Sequence, residues 1–143
     1  IDWTEYSIDA LFDLECKPLQ AVMRTRENVT AGESKKSRIL QATQPTNDCL
    51  KIGKALRLKG HAVFQLFWDG KSAPIFIEVN PRFGGASDAS IEAGLDSPRR
   101  LTALSFGNKT ERLAALENNS IKFGLIMQRY SRDIFIKPDE DTH

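Results

Sequence analysis

The sequence predicts an α+β domain: a mostly antiparallel sheet with helices packed on one face and a polar, cleft-forming surface on the other. Three observations carry this. Residues 5–13 alternate with period two, as a half-buried strand does. Residues 61–68 and 75–80 are apolar strands joined by a short segment containing Gly70 and Pro74. Between them, Cys49, Ile52 and Leu56 recur at helical spacing.

In the first strand Tyr6, Ile8, Ala10 and Phe12 share one face, and Glu5, Ser7, Asp9 and Asp13 the other; Leu11 breaks the pattern. A turn near Pro18 returns the chain as a strand over 19–26. Pairing Phe12 with Ala21 sets Asp9 opposite Arg24 and Ser7 opposite Arg26, a register favoured by opposite charge. Residues 27–44 are polar and read as a long loop. A helix is predicted over 46–59, stopped by Gly60.

The strands 61–68 and 75–80 place Phe64, Leu66 and Trp68 on one face with Ile75, Ile77 and Val79. Gln65, Glu78 and Asn80 then fall on the opposite face, with Gln65 directly across from Glu78 and side-chain bases about 5 Å apart. Residues 82–87 form a glycine-containing turn before a short helix at 88–93. Ser97-Pro98 signals the cap and first turn of a helix ending at Gly107. A further short helix at 111–117 and a strand at 121–129 follow, and the charged tail 137–143 is expected to fray. Trp3, Trp68 and the phenylalanines read as core, and His61 and His143 as structural or surface residues.

With 143 residues the chain has the length of one domain. Twenty Lys and Arg against 19 Asp and Glu give a net charge of +1, which makes no general case for a nucleic-acid or membrane surface. No apolar run approaches the roughly 20 residues that span a bilayer. Cys16 and Cys49, the only cysteines, fit free thiols in a reducing cytoplasm or one disulfide, and they make no zinc spacing.

The chemistry centres on Ile77-Glu78-Val79-Asn80-Pro81-Arg82. One carboxylate with amide neighbours, Gln65 and Asn80, suits a magnesium ion that brings its other ligands with a nucleotide. Arg82, just past the strand, offers a planar fork of donors to a phosphoryl group. The plainer alternative pairs Glu78 with Arg82 or a lysine on a solvated sheet. Gly84-Gly85-Ala86-Ser87 leads into a helix and suits a phosphate or a carboxylate, or is an ordinary turn capped by Ser87 or Asp88. Arg24 and Arg26 either bind anions or pair with Asp9 and Ser7.

These residues, with Glu5 through Asp9, Arg24-x-Arg26, Gly32-Glu33-Ser34 and Phe76 through Gly85, follow an order that resembles the C-terminal half of the ATP-grasp domain. The nearest likeness is to the carbamoyl-phosphate synthase large-subunit branch, over about residues 3–107, leaving 108–143 unassigned. The resemblance implies a lobe that binds ATP with Mg2+, or Mn2+ in its place, and phosphorylates a small carboxylate for attack by an amine or ammonia. It further implies Gln65, Glu78 and Asn80 as metal ligands, Arg82 on the transferred phosphate, and Glu5 in the nucleotide cleft. Arg24, Arg26, Gly84, Gly85 and Ser87 fall to nucleotide or substrate anions. Gln65 stands where many members have Glu, which removes one charge. The family's phosphate-covering lysines and adenine hinge lie upstream of the matching residues. An upstream lobe of a parent protein is therefore an expected partner, the isolated chain is expected to be inactive, and another copy covering the cleft would make a homo-oligomer. The rival expectation is a nucleotide-binding regulator or interaction domain on the same fold.

Overall fold

The computed structural model describes residues 2–30, 32–130 and 132–135; the expected fraying of 137–143 falls outside them. Its element order is β1 (Thr4–Phe12), β2 (Pro18–Thr25), β3 (Glu27–Thr30), β4 (Glu33–Leu40), α1 (Thr43–Ala55), β5 (Gly60–Trp68), β6 (Ile75–Asn80), α2 (Ser87–Ser90), a wide π-type turn (Ile91–Leu95), α3 (Ser97–Phe106), α4 (Lys109–Leu116) and β7 (Ile126–Gln128). The strands form one seven-stranded sheet in the order β3-β4-β2-β1-β5-β6, with β7 pairing on β4, and every pairing is antiparallel. The α+β class predicted from the sequence is the one observed. No helix among the described residues is long and apolar enough to cross a membrane.

β1 is the sheet's centre, and its alternation builds both faces. Ile8, Ala10 and Phe12 join Met23, Cys49, Phe64 and Leu66 in a cluster covered by α1. On the opposite face Leu11, the residue that broke the alternation, starts a second cluster with Val22, Ile39, Ala89, Leu95 and Leu104. There α2, α3 and α4 gather, beside the polar half of that face, which stays open. Gly53 lets α1 settle on the sheet, since a Cβ there would stand 2.1 Å from Phe12 Cζ.

Several expectations are corrected. The β1–β2 register is Ser7↔Arg24 and Ala10↔Ala21, with a shift between Leu11 and Phe12. The hairpin closes early because Asp13 Oδ1 accepts from Glu15 N (2.9 Å) and Lys17 N (2.7 Å), with Cys16 at φ +67°. Residues 27–40 are not a loop but the hairpin β3–β4, turned at Gly32 (φ +80°) and tied by the Lys36–Glu27 ion pair at 3.1 Å. β4 is polar yet internal because its inward side chains, Ser34 and Ser37, are small enough to bury. α1 starts at Thr43, with Pro45 in its first turn, and ends before Gly60: Arg57 takes the left-handed conformation (φ +55°) and Leu58 N donates to Gly53 O (2.9 Å).

At β5–β6 the pairing shifts between Gln65 and Leu66, leaving Ile77 without an opposite residue. This bulge turns Phe76, not Ile75 and Ile77, onto the core beside Phe64, and both isoleucines are exposed. The helix expected at 88–93 is the four-residue α2 followed by the wide turn, where Gly94 (φ +122°) meets Ser120 O. Asp96, in the left-handed region, precedes α3 in place of a serine cap. α4 begins at Lys109 under an Asn108–Glu111 capping box, and the strand expected at 121–129 shortens to β7. Trp3, Phe67, Phe83, Phe106, Phe123 and Phe135 are exposed, so the aromatic core reduces to Phe12 and Phe64 with half-buried Tyr6, Phe76 and Trp68.

Candidate functional site

The open half of the second face holds a cleft of about 300 Å3 whose lining includes Ser7, Arg24, Arg26, Gln65, Asn80 and Arg82, closed at one end by Gly84, Gly85 and Ala86. β1, β2, β5 and β6 supply the floor through the period-two pleat. Gln65 pairs with Glu78 as the sequence predicts. Asn80 Nδ2 donates to Glu78 Oε1 (2.8 Å). The Gln65 amide satisfies its neighbours when its nitrogen donates to Glu78 Oε2 (2.7 Å) and its oxygen accepts from Arg26 Nη1 (2.8 Å). The three side chains are thus brought together on one rim. Glu78 takes its hydrogen bonds from two neutral amides and makes no ion pair among the described residues.

Arg82 lies beyond Pro81, exposed on the cleft wall, with Nη1 donating to Phe83 O (3.1 Å). Arg26 runs along the floor: Nη2 donates to Gly32 O (3.3 Å), and Nε lies 3.3 Å from Glu5 Oε1. Glu5 is therefore at the cleft edge, engaged with Arg26. Arg24 is buried and donates from Nε to Asp9 Oδ2 at 2.8 Å. The register error notwithstanding, the two groups meet, reaching diagonally between strands.

Asp9 is the hub beneath this floor. It is fully buried and accepts from Arg24, from Ser90 Oγ (2.8 Å) and from Ser87 Oγ, and it meets His61 Nε2 at 3.0 Å. Burial by itself raises the carboxyl, but the Arg24 guanidinium and the His61 and Ser87 hydrogen bonds outweigh it and hold Asp9 well below the ordinary carboxylate range. His61 continues the network through Nδ1 to Ser97 Oγ (3.0 Å) and stacks on Phe83 at 4.3 Å.

Ser87 lies beneath the turn. It is buried, its hydroxyl donating to Asp9 and accepting from Gly84 N at 2.8 Å. The short α2 behind it is too brief to present a helix dipole, so the turn offers backbone at Gly84 and Gly85 and little more. Gly84 is also where side chain is excluded: a Cβ would lie 3.2 Å from Val63 Cγ2.

Sequence reasoning missed the hub role of Asp9, the buried hydroxyl of Ser7, and Arg129, whose Nη2 donates to Gly85 O and whose backbone N–H binds Lys35 O (2.8 Å). Only the shared face of Glu5, Ser7 and Asp9 hinted at any of these. A larger cavity of about 450 Å3 lies between α3 and α4, but Arg100 inside it is already spent on Gln20 Oε1 and the carbonyls of Ala115 and Glu117. No group of three or more His, Cys, Asp or Glu among the described residues can hold a metal ion, so a metal on the Glu78 rim depends on amide oxygens.

The curled antiparallel fold has counterparts in solved structures. Rhizobium etli pyruvate carboxylase is 17% identical, with TM-score 0.66 over 87% of this chain and 13% of its own. Campylobacter jejuni biotin carboxylase, solved as a β,γ-ATP complex, is 15% identical with TM-score 0.60 over 76% of this chain and 26% of its own. Kluyveromyces lactis urea carboxylase is 14% identical with TM-score 0.56, over 87% and 11% respectively. At such identity these likenesses show a shared fold alone, and this chain spans only a small part of each protein. A family model described as "ATP-grasp in the biosynthetic pathway with Ter operon" matches residues 1–123, and the chain belongs to that ATP-grasp family. No curated protein matches its sequence.

Proposed function

We propose that this chain is the ATP- and magnesium-binding half of an ATP-dependent ligase that joins a carboxylate to an amine or ammonia through an acyl phosphate. The observation that carries the reading is the state of Glu78: an exposed carboxylate on a cleft rim, flanked by two amides and, among the described residues, paired with no cation. A surface glutamate serving only the sheet would be expected to pair with Arg82 or a lysine, and this one does not. The donor chemistry fits magnesium, because Glu78 supplies one anionic oxygen and Asn80 and Gln65 each carry an amide oxygen that a side-chain rotation directs to the same rim. When bound, the metal would neutralise charge on the nucleotide phosphates.

The remaining roles follow from position. Arg82 stands on the wall next to that rim and would meet the phosphoryl group in transfer. Arg24 and Arg26 line the floor and suit anionic groups of nucleotide or acceptor, while Gly84 and Gly85 allow close backbone approach. Glu5 sets Arg26. Among the described residues Val63 is the one sizeable apolar side chain lining the cleft, so the adenine base is assigned to a separate lobe of the parent, and the chain alone is inactive. The motif order like that of carbamoyl-phosphate synthase supports ammonia or an amine as the second substrate, and the cytoplasm as the compartment.

Two experiments test this. Calorimetry of the chain with Mg·ATP and with magnesium-free ATP should show metal-dependent binding, and Glu78→Ala or Asn80→Ala should weaken it by about tenfold or more at unchanged Tm. Unchanged affinity in both variants identifies an interaction domain instead. The full parent should release ADP only with the right carboxylate and amine supplied; binding without turnover would make it a nucleotide-responsive regulator.

A further inference from the structure

Gln65 stands between the exposed Glu78 carboxylate and an arginine. Its amide nitrogen meets Glu78 Oε2 and its oxygen meets Arg26 Nη1. A half-turn about the terminal side-chain bond exchanges these: the oxygen then faces Glu78 and the nitrogen faces Arg26, with no heavy atom leaving its place. The first arrangement satisfies every partner. The second sets two acceptors together and two donors together, which is unfavourable unless a cation lies between the acceptors and an anion accepts from the donors.

Two further groups wait at the donor end. Ser7 is directly across the β1–β5 pairing from Gln65, fully buried, and its Oγ has no hydrogen-bond partner among the described residues. Arg26 Nε is buried as well, near Glu5 Oε1 but not aligned with it as a hydrogen bond. Buried donors without acceptors are uncommon, and each is stabilised by an incoming oxygen.

We propose that Gln65 couples the cation position to an oxyanion subsite. With a cation at Glu78 and Asn80, Gln65 turns its oxygen to the metal; its amide nitrogen, Arg26 and Ser7 Oγ then converge on one oxygen of a carboxylate or phosphate. Glutamate at this position has no N–H to offer and would hold Arg26 whether or not metal is bound. The inference rests on reading Glu78 and Asn80 as cation ligands.

The test is a linkage measurement without nucleotide. The full chain is titrated with inorganic phosphate and, separately, acetate, each with and without saturating magnesium chloride, following the Gln65 side-chain amide and Arg26 Nε–H signals by NMR. Magnesium alone should shift both signals and should tighten one or both anions by about fivefold or more. In Gln65→Glu that enhancement should disappear, and Ser7→Ala should weaken the anion in the presence of magnesium without lowering Tm. Preference for phosphate assigns the subsite to the nucleotide, and preference for acetate to the acceptor. No magnesium-dependent shift overturns the proposal, as does an enhancement that survives intact in Gln65→Glu, because plain attraction between metal and anion needs no amide. Coupling without Mg·ATP binding would leave the switch standing and remove the ligase reading; Mg·ATP binding without coupling would do the reverse.

Discussion

Asp9 is the most consequential side chain that never reaches the cleft. Arg24, His61, Ser87 and Ser90 all bond to one buried carboxylate, so removing its charge strands a buried guanidinium. Asp9→Asn should cost about 3–5 kcal/mol in denaturant unfolding, as breaking one side of a buried ion pair does. The pH dependence has a definite sign. The folded-state pKa lies below the ordinary 3.8, so the unfolded chain takes up the proton first as the medium acidifies. The stabilisation is complete above about pH 5 and is lost as pH falls through the unfolded value toward the folded one. Stability of the wild type should decline steeply there, and the Asp9→Asn profile should be flatter. Sequence reasoning reached the Asp9–Arg24 contact through a register two residues off. Opposite charges select partners but not the pleat they sit on, and the Asp13 turn that fixes the register was hidden among ordinary turn residues.

Among the elements, α1 depends on a missing side chain. Gly53→Ala would gain about 1 kcal/mol of helix propensity, but its Cβ would lie 2.1 Å from Phe12 Cζ, inside a fully buried ring. Displacing that ring in a filled core costs about 1–3 kcal/mol or more, so a lowered Tm by calorimetry is expected. A raised Tm would mean that α1 moves freely on the sheet. Alternation made β1 legible, an apolar run β5, a stripe α1, and the Ser97-Pro98 start with the Gly107 stop α3. β3 and β4 were not, since β3 has no buried residue and β4 buries Ser34 and Ser37, which carry no hydrophobic signal, ahead of Ile39. The bulge at Ile77 escaped for a related reason: one extra residue reverses the faces of β6 beyond it, while Glu78 keeps its place opposite Gln65.

At the scale of the molecule, the sheet divides its second face between a dry half under α2, α3 and α4 and a wet half that holds the site. The candidate rim of Gln65, Glu78 and Asn80 could be read in advance because three residues on two adjacent strands need only a hairpin register to be placed. Arg129 could not, because a residue 44 positions from Gly85 reaches it only through the pairing of β7 with β4. Residues 108–123 carry no motif, yet they fall within the family match, and Ala115, Leu116 and Ile121 contribute to the same core.

The order of strands leaves β6 at the sheet's margin, paired only through β5 among the described residues, with Ile75 and Ile77 facing solvent. A margin of this kind is a template on which further chains can polymerise. Concentrated solutions should therefore scatter light increasingly with time, and Ile77→Lys, a gatekeeper charge at a position outside the core, should suppress that growth while leaving the melting curve in place. If scattering is the same in both, sticking proceeds through some other surface, and the margin is already protected by its own kink.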